Sequence, residues 1–268
     1  MDDICDSHFH VFGAADRYPM VSTRGYEPPV LSISDYQALF GPLGVRRMVL
    51  IQPSCYGSDN RCMLDALATL GERGRAVVAV APDTSDADLR QMHDRGARGI
   101  RVNAVGGSTL SIVQLRDIAP RLRQLGWHVQ TFLPKGRLPD LADDLLATGL
   151  AVVLDHFGSP DPTLGIEQPT LQTLARMLDT GRCWVKLSAV FRVSKAGAPY
   201  QDLVPYARAL MQLRPDRLVW GSDWPYVHFI DKVPRGFNPL AFFVDALHDQ
   251  AQLKALLSGN SRELYQFS

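Results

Sequence analysis

Short apolar runs alternate with amphipathic stretches along the whole chain. Several runs are almost continuously apolar, which is typical of parallel strands covered on both faces, whereas half-exposed antiparallel strands would alternate strictly. We therefore predict eight strands, at residues 4–11, 47–53, 76–82, 98–103, 127–133, 151–157, 183–189 and 217–223.

The stretches between the strands have the apolar spacing of helices. Most of them open on a polar residue and stop at Gly or Pro, the usual boundaries of a helix. Ser34 is the expected cap of the first helix, and Ser85 or Asp86 that of the third. The predicted helices are 34–43, 60–71, 86–95, 112–125, 138–148, 170–178, 200–213, 240–257 and 260–267.

The strands recur at the interval of a βα unit. Eight such units predict one α/β domain over residues 1–268, a distorted TIM (β/α)8 barrel with its active site at the C-terminal ends of the strands. A doubly wound open sheet is the alternative, and it is disfavoured because no Gly-rich phosphate loop follows the first strand. The long loop 12–33 is expected to cover the active-site face.

Composition excludes several classes of protein. The chain is 46% hydrophobic and 21% charged, which indicates a globular core. The equal totals of 28 basic and 28 acidic residues argue against nucleic-acid binding. No apolar run is long enough to span a membrane, and the acidic start at Met1-Asp2-Asp3 is unlike a signal peptide. The four cysteines form no CxxC pair, so we expect a reduced, cytoplasmic protein, with assembly into a homo-oligomer left open.

Two short stretches at opposite ends of the chain carry the clearest chemistry. His8 and His10 lie two apart on a strand and share one face, and Asp223 follows the last strand within Gly-Ser-Asp-Trp-Pro. Paired imidazoles fill a core poorly because each ring nitrogen needs a partner. Two interpretations remain open for the pair, a hydrogen-bonded structural pair and a site that binds a metal or polarises a carbonyl.

Further polar residues fall at the same ends of other strands. Arg101 lies inside a strand, where burial is costly without an anion, although a structural ion pair would also satisfy it. His156 can act in the site or hydrogen-bond to loop backbone. The remaining candidates for substrate binding are Gln52, Asn103, Arg192 and, from the first long loop, Tyr26 and Arg24.

Other titratable residues have simpler explanations. Lys186 is expected to pair with Asp6 inside the barrel, since buried lysines are usually paired. His128 begins a strand and is interpreted as structural, while His93 and His248 lie in predicted helices and are expected at the surface. His228 follows Asp223 and can reach the pocket.

A set of motifs in collinear order resembles the amidohydrolase superfamily. The set comprises DSHFH (6–10), YGSDNRCMLDAL (56–67), GARGIRVN (96–103), LGWHV (125–129), LDHFGSP (154–160), KLSAVFR (186–192), GSDWP (221–225) and NSRELY (260–265). The chain is most similar to the lactonase branch, which includes 2-pyrone-4,6-dicarboxylate lactonases. The resemblance implies a distorted barrel that hydrolyses a lactone, with Asp223, His8, His10 and His156 catalytic and with Arg101 and Arg192 on a substrate carboxylate.

The chain departs from that branch at three places. Ser159 replaces an arginine after DHFG, residues 105–108 read Val-Gly-Gly-Ser where another arginine is expected, and 131–133 read Thr-Phe-Leu where a tyrosine is expected. Losing two arginines removes positive charge, so we expect a substrate with fewer carboxylates.

The superfamily often holds divalent metals, and the lactonase branch is implied to work without one. The fifth strand offers no histidine or lysine at its C-terminal end, which argues against a two-metal site. A single zinc or manganese ion, if bound, would be held by His8, His10 and Asp223, the minimum set for a catalytic zinc. We expect no essential cofactor.

The expected reaction is hydrolysis of a carboxylated lactone, such as a pyrone-carboxylate or muconolactone. Asp223 activates water while the three histidines polarise the carbonyl. The alternatives are a sugar-acid (aldono- or aldaro-) lactonase or lactone isomerase, a metal-dependent decarboxylase or amide hydrolase, and a binding protein without activity.

Overall fold

The computed structural model describes residues 3–107 and 109–268. The predicted features at Met1-Asp2 and at Ser108 lie outside these residues. All eight predicted strands are present, most of them shortened at one or both ends. They are β1 (Ile4–Phe9), β2 (Val45–Ile51), β3 (Gly74–Val78), β4 (Ala97–Asn103), β5 (His128–Phe132), β6 (Val152–Leu154), β7 (Cys183–Ser188) and β8 (Leu218–Gly221).

The strands form one parallel sheet in sequence order, and the sheet curls until its edges meet. At the seam, the His10 amide donates to the Trp224 carbonyl (2.9 Å) and the Asp223 amide donates to the His8 carbonyl (2.8 Å). This nearly closed arrangement is a TIM barrel, as predicted, and it rules out the open sheet. The seam also places the two motifs from the chain's ends side by side.

Helices separate the strands as predicted. Ser32, and not Ser34, caps the first helix, because the Ser32 hydroxyl accepts from the Asp35 amide while the Asp35 carboxylate accepts from the Ser32 amide. The helices are α1 (Ile33–Phe40), α2 (Arg61–Ala68), α3 (Asp86–Asp94), α4 (Ile112–Gln124), α5 (Leu138–Ala147), α6 (Pro169–Asp179), α7 (Val190–Val193), α8 (Val204–Leu213), α9 (Ala241–Ala246), α10 (Gln250–Lys254) and α11 (Asn260–Tyr265).

The predicted helix 240–257 is interrupted. It divides into α9 and α10 because Leu247 turns extended and the Asp249 side chain caps a new helix by accepting from the amides of Ala251 and Gln252. The predicted helix 200–213 begins at Val204 after a short 3-10 turn. Helix α7 follows β7 directly and was not predicted, since four residues are too few to show a helical period.

The C-terminal segment packs across the N-terminal end of the barrel. Arg47 of β2 donates to the carbonyl and hydroxyl of Ser258, both at 2.9 Å, and Arg75 of β3 donates to the carbonyls of Tyr265 and Gln266. Two buried guanidinium groups therefore donate hydrogen bonds to the C-terminal segment at this end of the barrel. The candidate site lies at the opposite, C-terminal end of the strands. All four cysteines are free and buried. Among the described helices, none has the length and apolar character needed to cross a membrane.

Candidate active site

Asp223 stands at the C-terminal end of the barrel, directly after β8. Its backbone adopts a left-handed conformation (φ 61°), and His156 does the same after β6 (φ 51°). Such conformations are uncommon for residues with a Cβ and are typical of functional loops. The Asp223 residue is only 3% exposed. The barrel seam and these two turns therefore aim a carboxylate and an imidazole at the same point.

Three histidines surround one oxygen of this carboxylate. Oδ1 of Asp223 lies 3.5 Å from Nε2 of His8, 3.9 Å from Nε2 of His10 and 3.9 Å from Nε2 of His156. All four residues are buried. The structure thus brings together the four residues that the sequence predicts as catalytic.

The second nitrogen of each ring indicates where its proton lies. Nδ1 of His10 is 2.7 Å from the Ile51 carbonyl, which only accepts, so Nδ1 carries the proton and Nε2 is bare. Nδ1 of His8 is 3.2 Å from Oδ1 of Asp155, and this carboxylate favours a proton on that nitrogen. Nδ1 of His156 meets the Ser188 hydroxyl at 2.9 Å, which can donate or accept. His156 is therefore the histidine best able to present an Nε2–H group to the site.

Burial keeps the histidines neutral. Desolvation lowers the pKa of His10 to about 3, and it lowers the pKa values of His8 and His156 well below the usual value. Lys186 and Arg101 add positive charge that acts on His8 in the same direction. Burial raises the pKa of Asp223, and Arg192 and Arg101 oppose that rise.

Two arginines complete the charged part of the site. Nη2 of Arg192 donates to Oδ2 of Asp223 at 3.2 Å and to the Val227 carbonyl at 3.0 Å. Nη1 of Arg101 donates to the Gln52 carbonyl at 2.8 Å, while its Nε is buried without a partner among the described residues. No carboxylate accepts from Arg101 in the described part of the chain, so its burial is unexplained by a structural ion pair.

A cavity of about 100 Å³ opens onto these groups. Two of the candidates for substrate binding, Tyr26 and Asn103, line it, and His228 joins them with its ring centroid 5.0 Å from that of Tyr26. Phe132 and Val227 also line the cavity and were not among the candidates. Phe132 ends β5, so the rule that strand ends face the site would have found it had apolar residues been included.

Two candidates lie outside this cavity. The Gln52 amide donates to the Gly57 and Asp59 carbonyls and so braces the loop after β2. Arg24 pairs with Glu27 and donates to the Val21 carbonyl. Backbone carbonyls hold the Gln52 side chain, and a carboxylate and a backbone carbonyl hold that of Arg24. Sequence spacing alone does not reveal these partners.

The predicted Lys186–Asp6 pair is wrong. Nζ of Lys186 donates to the Ser7 carbonyl (2.7 Å) and to Oε1 of Gln130 (2.6 Å), and its nearest carboxylate is Asp155, at 3.9 Å. Asp6 instead accepts from the Tyr36 hydroxyl at 2.7 Å and from two backbone amides. Asp155 thus lies between His8 and Lys186, with its Oδ1 at 3.2 Å from Nδ1 of His8 and 3.9 Å from Nζ of Lys186.

The remaining histidines have separate environments. His128 is buried at the start of β5, as predicted, and His248 is exposed. His93 is partly buried, and its Nδ1 accepts from the Trp127 indole at 2.9 Å.

The residues at the centre can hold one metal ion. One ligand atom from each of His8, His156 and Asp223 lies within 4.8 Å of the others, so His156 takes the place that the sequence assigned to His10. Both ring nitrogens of His8 are buried without a well-aligned hydrogen-bond partner, which fits a ligand role. Two neutral imidazoles and a carboxylate are an ordinary donor set for zinc.

Known proteins resemble this chain along nearly its whole length. A family model described as Amidohydro_2, amidohydrolase, matches residues 5–267. The 4-sulfomuconolactone hydrolase of Hydrogenophaga intermedia is 34% identical over 265 residues, which cover 97% of this chain and 88% of the relative. The 2-pyrone-4,6-dicarbaxylate hydrolase of Comamonas testosteroni is 36% identical over 272 residues, which cover 97% and 89%.

A solved structure confirms the likeness of the folds. The crystal structure of a Pseudomonas putida protein assigned as a 2-pyrone-4,6-dicarboxylic acid hydrolase superposes with a TM-score of 0.87 at 33% identity. The match covers 100% of this chain and 99% of that protein.

Proposed function

Because this chain belongs to the amidohydrolase family, we propose that it is a hydrolase that opens a carboxylated lactone, such as a pyrone-carboxylate or muconolactone. The observation that carries the proposal is the buried Asp223 carboxylate, ringed by three neutral histidines and beside two arginines. The relatives named for hydrolysis of such lactones support the same reaction.

Asp223 is the general base. Burial raises the pKa of Asp223, which makes the carboxylate a better proton acceptor than an exposed aspartate, and the positive charge of Arg192 opposes that rise and favours the ionised form. Water donates a proton to Oδ1 as its oxygen attacks the lactone carbonyl. The ring C–O bond then breaks, and the proton moves from Asp223 to the departing ring oxygen. One water is consumed, and the product is a hydroxy (or enol) acid.

The histidines divide the remaining work. Oδ1 of Asp223 takes one proton of the attacking water, and the bare Nε2 of His10, which lines the cavity, accepts a hydrogen bond from the other O–H and so orients the water toward the carbonyl. His8, with Nε2 3.5 Å from Oδ1, packs against the carboxylate and helps to fix its position. His156 donates through Nε2–H to the carbonyl oxygen as negative charge develops there. This division replaces the expectation that all three histidines polarise the carbonyl.

Arg101 binds the substrate carboxylate. Arg101 lines the cavity, its Nε has no hydrogen-bond partner among the described residues, and a planar guanidinium suits a carboxylate. Arg192 has a double role, because it contacts Asp223 and also lines the cavity. Asn103 and Tyr26 shape the rest of the pocket. Gln52 acts indirectly, since its carbonyl holds Arg101, and Arg24 acts through the position of the loop that carries Tyr26.

We further propose that a metal is dispensable. A divalent cation held by His8, His156 and Asp223 would polarise the carbonyl and acidify a bound water. However, Arg192 already lies 3.2 Å from the Asp223 carboxylate, and Arg101 and Lys186 add positive charge nearby. This charge opposes a dication and supplies the electrostatic stabilisation that an activated ester needs.

The cellular compartment and the domain organisation that we propose fit this activity. Four free, buried cysteines suit a reducing compartment, so we place the protein in the cytoplasm. A single domain over residues 1–268 suffices for the reaction, because every proposed catalytic group comes from the one barrel.

A panel of lactones assayed with and without a chelator tests the proposal. We expect hydrolysis of pyrone-carboxylates or muconolactones that survives chelation and is not raised by added zinc or manganese. Hydrolysis of aldonolactones alone would indicate a sugar-acid lactonase, and ring migration without a hydroxy-acid product would indicate an isomerase. Loss of activity on chelation, restored by zinc or manganese, would contradict the metal-independent mechanism.

A further inference from the structure

We propose that Asp155 is a positioning residue, which holds the single proton of neutral His8 on Nδ1 and so prevents His8 from donating a hydrogen bond to the catalytic carboxylate of Asp223. This inference rests on the proposed function and adds a residue to its mechanism. Asp155 follows β6 directly, and its side chain is buried. It is not among the described residues that line the cavity, so its effect on the reaction passes through His8.

His8 stands between two carboxylates that compete for its proton. Its Nδ1 is 3.2 Å from Oδ1 of Asp155, and its Nε2 is 3.5 Å from Oδ1 of Asp223. A neutral imidazole carries one N–H group, so a proton on either nitrogen leaves the other bare. The choice between the two tautomers decides whether His8 donates a hydrogen bond to the catalytic base or accepts one from it.

The two carboxylates differ in their need for this proton. Asp223 lines the cavity, where water reaches it, and its Oδ2 already accepts from Arg192 at 3.2 Å. Oδ1 of Asp155 is buried, and no hydrogen-bond donor is well aligned with it among the described residues. A buried carboxylate oxygen without a donor is costly, and Nδ1 of His8 lies closer to it than the Lys186 ammonium group does, at 3.9 Å. The proton therefore belongs on Nδ1.

Gln130 and Lys186 hold Asp155 in place for this role. The Gln130 amide group donates to Oδ2 of Asp155 at 3.1 Å, and its Oε1 accepts from Nζ of Lys186 at 2.6 Å. Lys186 also donates to the Ser7 carbonyl at 2.7 Å, and its positive charge offsets that of the buried carboxylate. All three side chains are buried, so these contacts fix the orientation of Asp155 toward His8.

This arrangement keeps the catalytic base reactive. A hydrogen bond from Nε2–H of His8 would stabilise the ionised carboxylate of Asp223 and weaken its attraction for a proton. With the proton on Nδ1, the bare Nε2 instead accepts a hydrogen bond from Asp223 once Oδ1 has taken the proton of water. His8 thus stabilises the protonated form of Asp223, which then passes this proton to the departing ring oxygen.

Two variants that keep the size of each side chain test the inference. In Asp155→Asn, Gln130 donates to the new side-chain carbonyl, so the new amide group turns toward Nδ1 of His8 and drives the proton onto Nε2. In the double variant Asp155→Asn/Gln130→Glu, the new carboxylate accepts from both the new amide group and Lys186. The new carbonyl then faces Nδ1 of His8 again, and the net charge is that of the wild type.

Two measurements report the result. Long-range proton–nitrogen NMR spectra of protein labelled at the histidine nitrogens show which nitrogen is protonated, with the His8 signals assigned by comparison with His8→Gln. We expect Nδ1–H in the wild type, Nε2–H in Asp155→Asn and Nδ1–H again in the double variant. On a carboxylated lactone, Asp155→Asn should lower kcat about 10- to 100-fold with KM within about threefold of the wild-type value, and the double variant should regain most of kcat.

The outcomes separate this inference from the proposed function. A wild type with the His8 proton on Nε2 overturns the role of Asp155 even where no variant folds. A folded Asp155→Asn protein that keeps the Nδ1–H tautomer or the wild-type kcat also overturns it, as does a folded double variant that does not recover the tautomer and turnover together. A wild type that opens no lactone overturns the proposed function, while the spectra still decide whether Asp155 sets the tautomer of His8.

Discussion

Arg101 shows how the free-energy cost of burying a charged side chain can indicate its role. A guanidinium on a barrel strand must find an anion or several acceptors, and here it finds the Gln52 carbonyl and leaves Nε unsatisfied. The sequence could predict this residue because the cost of burying charge is general. It could not predict that Arg24 pairs with Glu27, because flexible exposed side chains choose partners by local geometry.

Replacing Arg101 by Met should raise KM for the carboxylated lactone about tenfold or more and change kcat less. The physical reason is that the variant loses a charged contact to a part of the substrate that does not react. Steady-state kinetics measure both constants. Arg98→Met, at the other end of β4, is the control, since its guanidinium donates to the His93 and Ala97 carbonyls. Equal KM values for Arg101→Met and the wild type would remove Arg101 from the site.

The tautomers of the histidines also could not be predicted from the sequence. They depend on what meets each Nδ1 atom, and the Ile51 carbonyl, the Asp155 carboxylate and the Ser188 hydroxyl come from three different strands or their ends. Sequence spacing shows that His8 and His10 share a face, but only the fold shows that both present bare nitrogens.

At the scale of elements, the strands were the most predictable features. Each buried strand is a short apolar run, and parallel pairing on both sides makes that run necessary. Helix ends were less predictable because several polar residues often compete for the cap. In Leu-Ser-Ile-Ser, Ser32 and Ser34 are both plausible caps by residue type, and only the reciprocal bonds with Asp35 select the first.

The capping assignment predicts unequal effects for two neighbouring serines. Ser32→Ala should lower the free energy of unfolding by about 1 kcal/mol, because the Asp35 amide loses its acceptor. Ser34→Ala, an exposed position within α1, should change it by less than about 0.5 kcal/mol. Urea unfolding of both variants measures the difference. A larger loss for Ser34→Ala would show that the helix begins where the sequence alone suggested.

At the scale of the whole molecule, the barrel buries titratable groups throughout its interior. His128 lies near the closed end, with Tyr265 packed against it at a centroid distance of 5.4 Å. Burial lowers its pKa to about 3. The native state therefore keeps this residue neutral at pH values where the unfolded chain, with an ordinary pKa near ~6.5, takes up a proton.

This linkage has a definite sign. The contribution of neutral His128 to the free energy of unfolding is fully present above about pH 6.5 and is lost as the pH falls toward about 3. Between these pH values only the unfolded state binds the proton. Between pH 7 and pH 5 the wild type should lose about 2 kcal/mol of unfolding free energy relative to His128→Gln. Urea unfolding of both proteins across this range measures the difference. Parallel pH curves would show that His128 is protonated in the fold.

The seam between β1 and β8 brings the residues of the candidate active site together. It converts two motifs from opposite ends of the chain into one site, with the His8 carbonyl and the Asp223 amide bonded to each other. The fold class and the four central residues followed from strand rhythm and strand-end chemistry. The loop residues Val105, Gly106 and Val227 that line the cavity did not, because the paths of those loops depend on packing.

The turnover of Asp223→Asn on a carboxylated lactone tests the central claim most directly. The amide keeps the shape of the side chain but cannot accept the proton from water, so kcat should fall by about 10²–10⁴-fold while circular dichroism and the unfolding midpoint stay near those of the wild type. Asp231→Asn, in the exposed loop that follows, is the matched control and should retain wild-type turnover. A folded Asp223→Asn enzyme with a near wild-type kcat would contradict the account.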